Sequence, residues 1–257
     1  MPTVDVGAWR IDHVVLENAS STGPPLVFLH EGLGTIELWR SFPADVRSAA
    51  GGPTTLVYSR PGYGRSGPIE RPWPVEYLHR EALDVLPPLL DRLGLERPVL
   101  VGHSDGASIA LIHAGAGNPV AGLVLVAPHV FVEDRSVAGI AAARDAYRSD
   151  GPDGLRSRLA RYHDDVDGVF WGWNDVWLSP EFRSWSIEAL LPAIDVPVLA
   201  IQGDADDYGT LAQVDAIEAG VRGPFRRHVE PGGHVLHAGP DAPALASEVG
   251  RFVRELS

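Results

Sequence analysis

Short apolar runs that alternate with longer helical patterns constrain the fold of this 257-residue chain more than any other feature. The runs are continuous rather than alternating, which is typical of strands buried on both faces. They lie at residues 26–30, 55–58, 98–101, 122–127 and 197–201, after an alternating edge strand at 10–16. Candidate helices lie at 36–50, 75–93, 104–116, 209–220 and 241–255. This alternation predicts an α/β fold with a doubly wound, mostly parallel sheet.

One segment, residues 130–190, interrupts the alternation. It contains no convincing strand pattern, and it carries the tryptophan-rich stretch FWGWNDVW. Because apolar runs flank it on both sides, we expect a helical insertion within a single domain spanning 1–257. Trp171, Trp173 and Trp177 are candidates for a substrate pocket, although such side chains as often pack an insertion onto the body.

Composition excludes several classes of function. A formal charge of -13 argues against nucleic acid or an anionic membrane as a partner. The chain has no cysteine, and all 21 basic residues are arginine, which rules out disulfides, thiolate chemistry and a lysine Schiff base. With no apolar run of about 18 residues and no apolar core in MPTVDVGAWRIDH, neither a membrane span nor a secretion signal is expected. We therefore expect a cytoplasmic monomer or homodimer that acts on a small molecule.

The stretch GHSDG, residues 102–106, follows one apolar run and precedes a helical pattern. A strand that turns abruptly into a helix strains the central residue, and flanking glycines remove the side-chain clashes. Such a turn projects the Ser104 hydroxyl at the positive end of the helix. We interpret Ser104 as a nucleophile. The alternative, Ser104 as a plain helix cap, would need neither Gly102 nor Gly106.

A serine hydroxyl needs a base at neutral pH, and the base needs an acid to orient it. The stretch EPGGHVLHAGP offers His234 and His237 as bases, unless His234 only caps the last helix. Three aspartates follow the run at 197–201: Asp204, Asp206 and Asp207.

Stabilisation of an oxyanion requires backbone N–H groups near the reacting carbonyl. One is expected from Asp105, directly after the serine, and the other from Gly32 or Leu33 in the glycine-rich loop FLHEGLG. Further candidates for the wall of a substrate pocket are Glu31, His30, His103, His129 and His237.

The series FLHEGLG, SRPGYGRSGP, VGHSDG, QGDADD and GGHVLH, in this order, resembles the α/β-hydrolase superfamily in its single-domain, esterase-like branch. The resemblance covers essentially the whole chain. It implies eight strands, a helical lid after the sixth strand, where residues 130–190 lie, and a Ser-His-Asp triad without metal or organic cofactor. It favours His234 as the base, from the Gly-Gly-His turn, and Asp206 as the acid, three residues after a glycine.

Two stretches depart from the family pattern. The usual His-Gly pair is here His30-Glu31-Gly32, which puts a carboxylate beside the expected oxyanion site. An inward Glu31 would discourage anionic substrates and could bind a hydroxyl or an amine, whereas an outward one would be a solvated loop charge. The stretch SRPGYGRS also differs, and we interpret it as structural.

These motifs favour hydrolysis of a small uncharged ester, lactone or thioester through an acyl-enzyme. Carbon–carbon bond hydrolysis or acyl transfer by the same triad is the first alternative, and a non-catalytic binding protein on the same fold is the second. Haloalkane dehalogenases and epoxide hydrolases are disfavoured, since their relatives have an aspartate where Ser104 stands.

Overall fold

The structure, a computed structural model, describes residues 2–18, 20, 23–149 and 151–256. Its strands are β1 (Thr3–Val6), β2 (Trp9–Leu16), β3 (Leu26–Leu29), β4 (Thr55–Tyr58), β5 (Val99–His103), β6 (Gly122–Val126), β7 (Val198–Gly203) and β8 (Phe225–Glu230). Its α-helices are α1 (Phe42–Ala49), α2 (Tyr77–Arg80), α3 (Leu86–Leu93), α4 (Asp105–Gly115), α5 (Asp134–Arg148), α6 (Leu155–Leu159), α7 (Val166–Trp177), α8 (Leu211–Gly220) and α9 (Ala242–Arg254). The two ends of the predicted domain, residues 1 and 257, and Asp150 of the predicted insertion lie outside the described residues.

The strands form one sheet in the order β1-β2-β4-β3-β5-β6-β7-β8. β2 pairs antiparallel with β1 and β4, and the remaining neighbours are parallel. The predicted mostly parallel, eight-stranded α/β sheet is therefore confirmed. The prediction of an edge strand at 10–16 is wrong, because β1 covers that edge through a hairpin at Gly7, where φ is 57°. The short, half-polar run TVDV carries too little periodicity to show this pairing in advance.

Helices cover both faces of the sheet because successive side chains of a strand point to opposite sides. In β3, Leu26 and Phe28 pack in the same core as residues of α1 and α9, whereas Val27 and Leu29 pack in the other core with residues of α3 and α4. Each residue of β3, β5, β6 and β7 is buried. This explains why these strands are recognisable as continuous apolar runs.

The helical pattern at 75–93 contains an irregular turn. A π-helical stretch, Glu81–Val85, joins α2 to α3, and the two prolines lie in the first turn of α3. Pro87 and Pro88 have no N–H to donate to the preceding turn, so the helix widens before them. The irregular turn therefore lies just before the prolines, and the helix continues through them.

The segment between β6 and β7 is helical, as expected for residues 130–190. It contains α5, α6 and α7, two short 3-10 turns at Phe182–Ser184 and Glu188–Ala193, and one isolated β-bridge between Phe131 and Ser186. Among the residues that the structure describes, no helix is long and apolar enough to cross a membrane.

Candidate active site

Ser104 lies at the sharp turn between β5 and α4. Its backbone has φ 54° and ψ −117°, a conformation that a side-chain-bearing residue adopts only under strain. Its N–H donates to the Val126 carbonyl at 2.9 Å, which ties the turn to the neighbouring strand. The Ser104 side chain accepts no capping hydrogen bond from α4. The interpretation of Ser104 as a plain helix cap is thus not supported by its contacts.

The two glycines that flank Ser104 are required by close backbone packing. A Cβ atom at Gly102 would collide with the Gly106 carbonyl oxygen, and one at Gly106 would collide with the Leu29 carbonyl oxygen. The turn therefore brings α4 directly against the ends of β3 and β5. Sequence alone predicts this tightness, because only glycine removes both clashes.

Asp206 and His234 form a hydrogen-bonded pair beside this turn. His234 Nδ1 lies 2.9 Å from Asp206 Oδ2 and 3.0 Å from Oδ1. Asp206 is almost completely buried, and its oxygens also accept from Gln202 Nε2 at 2.8 Å and the Tyr208 N–H at 2.7 Å. Burial acts to raise the pKa of Asp206, but the pairing with His234 and the Tyr208 N–H lower that pKa to about 2. An ionised Asp206 holds the His234 proton on Nδ1, which leaves Nε2 as an acceptor.

The competing acids and base have other positions. Asp204 and Asp207 are exposed, and Asp204 Oδ1 accepts from the Gly232 N–H at 3.0 Å. His237 is buried against Trp39, with ring centroids 4.6 Å apart. Burial, with a smaller contribution from His103, lowers the pKa of His237 to about 3.

Ser104 and His234 line the same cavity, of about 150 Å³. Its wall is formed by Glu31, Gly32, Leu33, Ser104, Asp105, His129, Ser136, Ile140, Trp173, Trp177, Tyr208, His234 and Val235. Within the described residues, no hydrogen bond joins Ser104 Oγ to His234. Of the pocket candidates, His30, His103, Trp171 and His237 lie outside this lining.

The loop that follows β3 makes a tight turn, closed by the Gly34 N–H donating to the Glu31 carbonyl at 3.1 Å. Neither the Gly32 nor the Leu33 N–H donates a hydrogen bond within the described part of the chain. Gly32 lies directly beneath Trp173, since a Cβ atom there would collide with the indole. The turn and α7 therefore meet at the cavity.

Two buried histidines support this loop and the His234 loop. His30 Nε2 accepts from the Arg60 N–H at 3.0 Å, and its Nδ1 therefore donates to the Glu31 carbonyl at 2.8 Å. His103 Nε2 donates to the His234 carbonyl at 2.9 Å. His30 and His103 thus hold the two loops from behind rather than contact the cavity.

His129 lines the cavity, with its ring 5.8 Å from that of His234 and 5.3 Å from that of Trp177. Burial, together with the nearby His234 ring, lowers the pKa of His129 to about 3. His129 therefore stays neutral at physiological pH. Ser108 Oγ donates to its carbonyl at 2.6 Å, which fixes the end of β6 over α4.

Sequence reasoning missed a buried polar network around Asp105. Asp105 Oδ2 accepts from Tyr77 Oη at 2.6 Å and lies 3.6 Å from Arg60 Nη2. Tyr77 Oη in turn accepts from Trp177 Nε1 at 2.8 Å. Burial raises the pKa of Asp105, although the Arg60 charge and the Tyr77 hydrogen bond counteract the shift. Arg60 belongs to SRPGYGRS, so that stretch reaches the site through Asp105, a contact that no local pattern reveals.

Tyr208 is a second residue that the sequence did not single out. It lines the cavity, and its ring centroid lies 4.7 Å from that of His234. The sequence offered one indication of this role: Tyr208 directly follows the candidate acids in the stretch QGDADDY.

Comparisons with known proteins agree with this fold. The model of the alpha/beta hydrolase family matches residues 26–246, and the chain belongs to that family. Human serine hydrolase BPHL is 29% identical over 201 residues, which are 72% of this chain and 64% of that protein. The chain thus spans just under two thirds of the length of this curated relative.

Two solved structures share the fold. Proline iminopeptidase from Mycobacterium smegmatis has a TM-score of 0.75 and 20% identity, with 99% of this chain and 98% of that chain covered. The enol-lactonase from Burkholderia xenovorans LB400 has a TM-score of 0.75 and 20% identity, with 98% and 99% covered. At this identity the likeness concerns the fold alone.

Proposed function

We propose that this hydrolase cleaves the acyl bond of a small ester, lactone or thioester through an acyl-enzyme on Ser104. The observation that carries the proposal is the hydrogen bond from buried Asp206 to His234, because His234 lines the same cavity as a serine on a strained turn. A helix cap or a structural histidine would need neither the strain nor the ionised partner.

The reaction follows from the positions of the donors. Ser104 Oγ attacks the carbonyl carbon while His234 Nε2 takes the hydroxyl proton, and the imidazolium is stabilised by Asp206. The N–H groups of Asp105 and of Gly32 or Leu33 donate to the oxygen that becomes negative. The imidazolium then gives its proton to the leaving oxygen or sulfur as its bond to the carbonyl carbon breaks; the alcohol or thiol departs, or, for a lactone, the new hydroxyl stays on the acyl chain, and the acyl group is left on Ser104.

Water completes the cycle. His234 takes a proton from a water molecule as the water oxygen attacks the acyl carbon, and then returns a proton to Ser104 Oγ as the carboxylic acid leaves. The helices between β6 and β7 act in this proposal as a lid, since Trp173 and Trp177 of α7 close one side of the cavity.

The proposal is tested with Ser104→Ala and a nitrophenyl ester. Loss of the nucleophile is expected to lower kcat/KM by about a thousandfold or more. Ser247→Ala, on the exposed face of α9, is the matched control and is expected to keep full activity. A fluorophosphonate probe is expected to label Ser104 in the unchanged protein. Residual activity near that of the control, or no labelling, would contradict the proposal and favour a non-catalytic binding protein.

A substrate panel separates the remaining chemistry. Esters, lactones, thioesters and vinylogous diketones are offered to the purified protein, with Ser104→Ala as the blank. We expect the highest kcat/KM for one of the first three classes. Faster turnover of a diketone would assign carbon–carbon bond hydrolysis, and turnover only with an added alcohol or amine acceptor would assign acyl transfer.

A further inference from the structure

Arg60 is a buried arginine that the proposed mechanism does not use. It is 1% exposed and belongs to the stretch SRPGYGRS, which follows β4. One of its nitrogens, Nη2, lies against both loops that supply the expected oxyanion donors. This nitrogen donates to the Glu31 carbonyl at 2.8 Å and lies 3.6 Å from Asp105 Oδ2. The guanidinium thus joins the turn after β3 to the nucleophile turn.

The Glu31 carbonyl is held by three donors. Besides Arg60, it accepts from His30 Nδ1 at 2.8 Å and from the Gly34 N–H at 3.1 Å. This carbonyl and the Gly32 N–H belong to one planar trans peptide, in which the two groups point in opposite directions. The donors that hold the carbonyl therefore also fix the direction of the Gly32 N–H, which points away from Arg60.

The Gly32 N–H is consequently the supported donor of this turn. Gly32 lines the cavity that contains Ser104, whereas Arg60 does not. The next peptide lacks such support, because no donor within the described residues binds the Gly32 carbonyl, which shares its peptide with the Leu33 N–H. Donors of an oxyanion site are effective when they are fixed in place before the reaction.

The charge of Arg60 adds to this geometry. A cation at the oxygen end of a peptide polarises the peptide, which makes its N–H a stronger donor. The same charge compensates the Asp105 carboxylate, which is 1% exposed and directly follows Ser104 in the chain. Without this compensation, a carboxylate beside the nucleophile would oppose the build-up of negative charge on the substrate oxygen.

We propose that Arg60 is a positioning residue of the oxyanion site. It acts through the Glu31 carbonyl and the Asp105 side chain, and it holds the N–H groups of Gly32 and Asp105 toward the substrate oxygen. This rests on the proposed serine mechanism. Because Arg60 lies outside the cavity lining, its loss should lower kcat rather than raise KM.

A second cavity opens Arg60 to chemical rescue. Arg60 lines this separate cavity, of about 350 Å³, whose wall also includes the exposed side chains of Glu70 and Arg80. In Arg60→Ala the second cavity extends to the Glu31 carbonyl and the Asp105 carboxylate. A guanidinium ion that enters from solvent then takes the place of the missing group.

Hydrolysis of nitrophenyl acetate tests the role of Arg60. In Arg60→Ala, kcat is expected to fall by about tenfold to a hundredfold, less than on loss of an oxyanion donor itself, with KM changed by less than about threefold. Arg80→Ala removes an arginine from the wall of the same second cavity, away from the oxyanion loops, and is the matched control that should keep its kcat.

Rescue separates the guanidinium group from general damage to the fold. Guanidinium chloride at about 50 mM, far below the concentrations that unfold proteins, is expected to raise kcat of Arg60→Ala at least about threefold. Urea, which has the same shape without the charge, and sodium chloride of equal ionic strength are expected to have no such effect. Neither the original protein nor Arg80→Ala should respond to guanidinium.

A ratio of two substrates reports the oxyanion site however much of each variant is folded. Nitrophenyl thionoacetate carries C=S in place of C=O, and the larger sulfur is a weaker hydrogen-bond acceptor. The ratio of kcat/KM for the acetate over the thionoacetate is expected to fall at least about fivefold in Arg60→Ala and to stay constant in Arg80→Ala.

A double variant keeps the test decisive if Arg60→Ala does not fold. Removal of Arg60 leaves the Asp105 carboxylate buried without its charged partner, which is strongly destabilising. Asp105→Asn combined with Arg60→Ala removes this unpaired charge, and Asp105→Asn alone is its reference. The same fall in the substrate ratio is expected between these two proteins, since only the double variant lacks the donor to Glu31.

An unchanged substrate ratio in the variants that lack Arg60 would overturn the proposal, and so would a loss carried by KM alone. Rescue by urea or sodium chloride to the same extent as by guanidinium would also contradict it, because the charge would then have no part. In each of these cases the hydrolase mechanism stands. Failure of the mechanism itself is distinguished by activity that persists in Ser104→Ala.

Discussion

At the scale of single residues, the site depends on which of several side chains of the same type is buried against its partner. Asp206 and Asp207 are adjacent in sequence, yet only Asp206 is buried and faces His234. Ser104 and His234 share a cavity without a hydrogen bond between their side chains, and such contacts often tighten only when substrate binds.

Separate replacements of the two aspartates by asparagine test the assignment of the acid. Asp206→Asn is expected to lower kcat by about a thousandfold or more, because an amide no longer holds the correct tautomer of His234 or stabilises its imidazolium. Asp207→Asn, on an exposed side chain, is expected to change kcat by less than about twofold. Steady-state kinetics with a nitrophenyl ester decide between them, and a larger loss at Asp207 would refute the role given to Asp206.

At the scale of elements, α7 forms one side of the cavity with Trp173 and Trp177. Its tryptophans point in different directions: Trp173 lies over Gly32 at the cavity, whereas Trp171 packs against Tyr147, with ring centroids 5.7 Å apart. The two side chains therefore have different functions, although they are two residues apart in one helix.

Trp173→Ala is expected to widen the cavity and shift the preference of the enzyme toward longer acyl chains. The ratio of kcat/KM for a nitrophenyl hexanoate over the acetate is expected to rise at least about tenfold, since burial of a methylene contributes about 0.8 kcal/mol and tenfold needs about two of the four added methylenes to be buried. Trp171→Ala, in the same helix but outside the lining, serves as the control and should leave this ratio near its original value. Equal shifts in both variants would show that helix stability, not cavity size, sets the preference.

At the scale of the whole molecule, buried histidines connect folding to pH. Burial lowers the pKa of both His129 and His237 to about 3, so both stay neutral in the folded protein. In the unfolded chain they take up protons near pH 6.5. Between these pH values the unfolded state binds more protons, and stability is therefore lost as the pH falls below about 6.5.

Replacement of one such histidine should reduce this pH dependence. In urea denaturation between pH 7 and pH 5, His237→Phe is expected to lower the slope of unfolding free energy against pH by up to about 1.4 kcal/mol per pH unit. His228→Phe, at a half-exposed position on β8, is the same replacement outside the core, and its slope is the reference for His237→Phe. A slope unaffected by His237→Phe would mean that this ring gains its proton without unfolding.

The sequence by itself determined the features that depend only on residues close together along the chain. The apolar runs predict the central strands because a strand buried on both faces needs an apolar side chain at each position. GHSDG predicts the strained turn because only glycine avoids clashes at residues 102 and 106. The helical character of 130–190 followed from the missing strand pattern.

Only the tertiary structure decided which distant side chains meet. The hairpin that covers β2, the position of Glu31 at the cavity, the burial of His237 and the contact of Arg60 with Asp105 all join residues that no local period relates. The pairing of Asp206 with His234 links positions 28 residues apart. Local patterns specify backbone conformation, whereas side-chain partners depend on how the strands and helices pack, and the chemistry of this site depends on those partners.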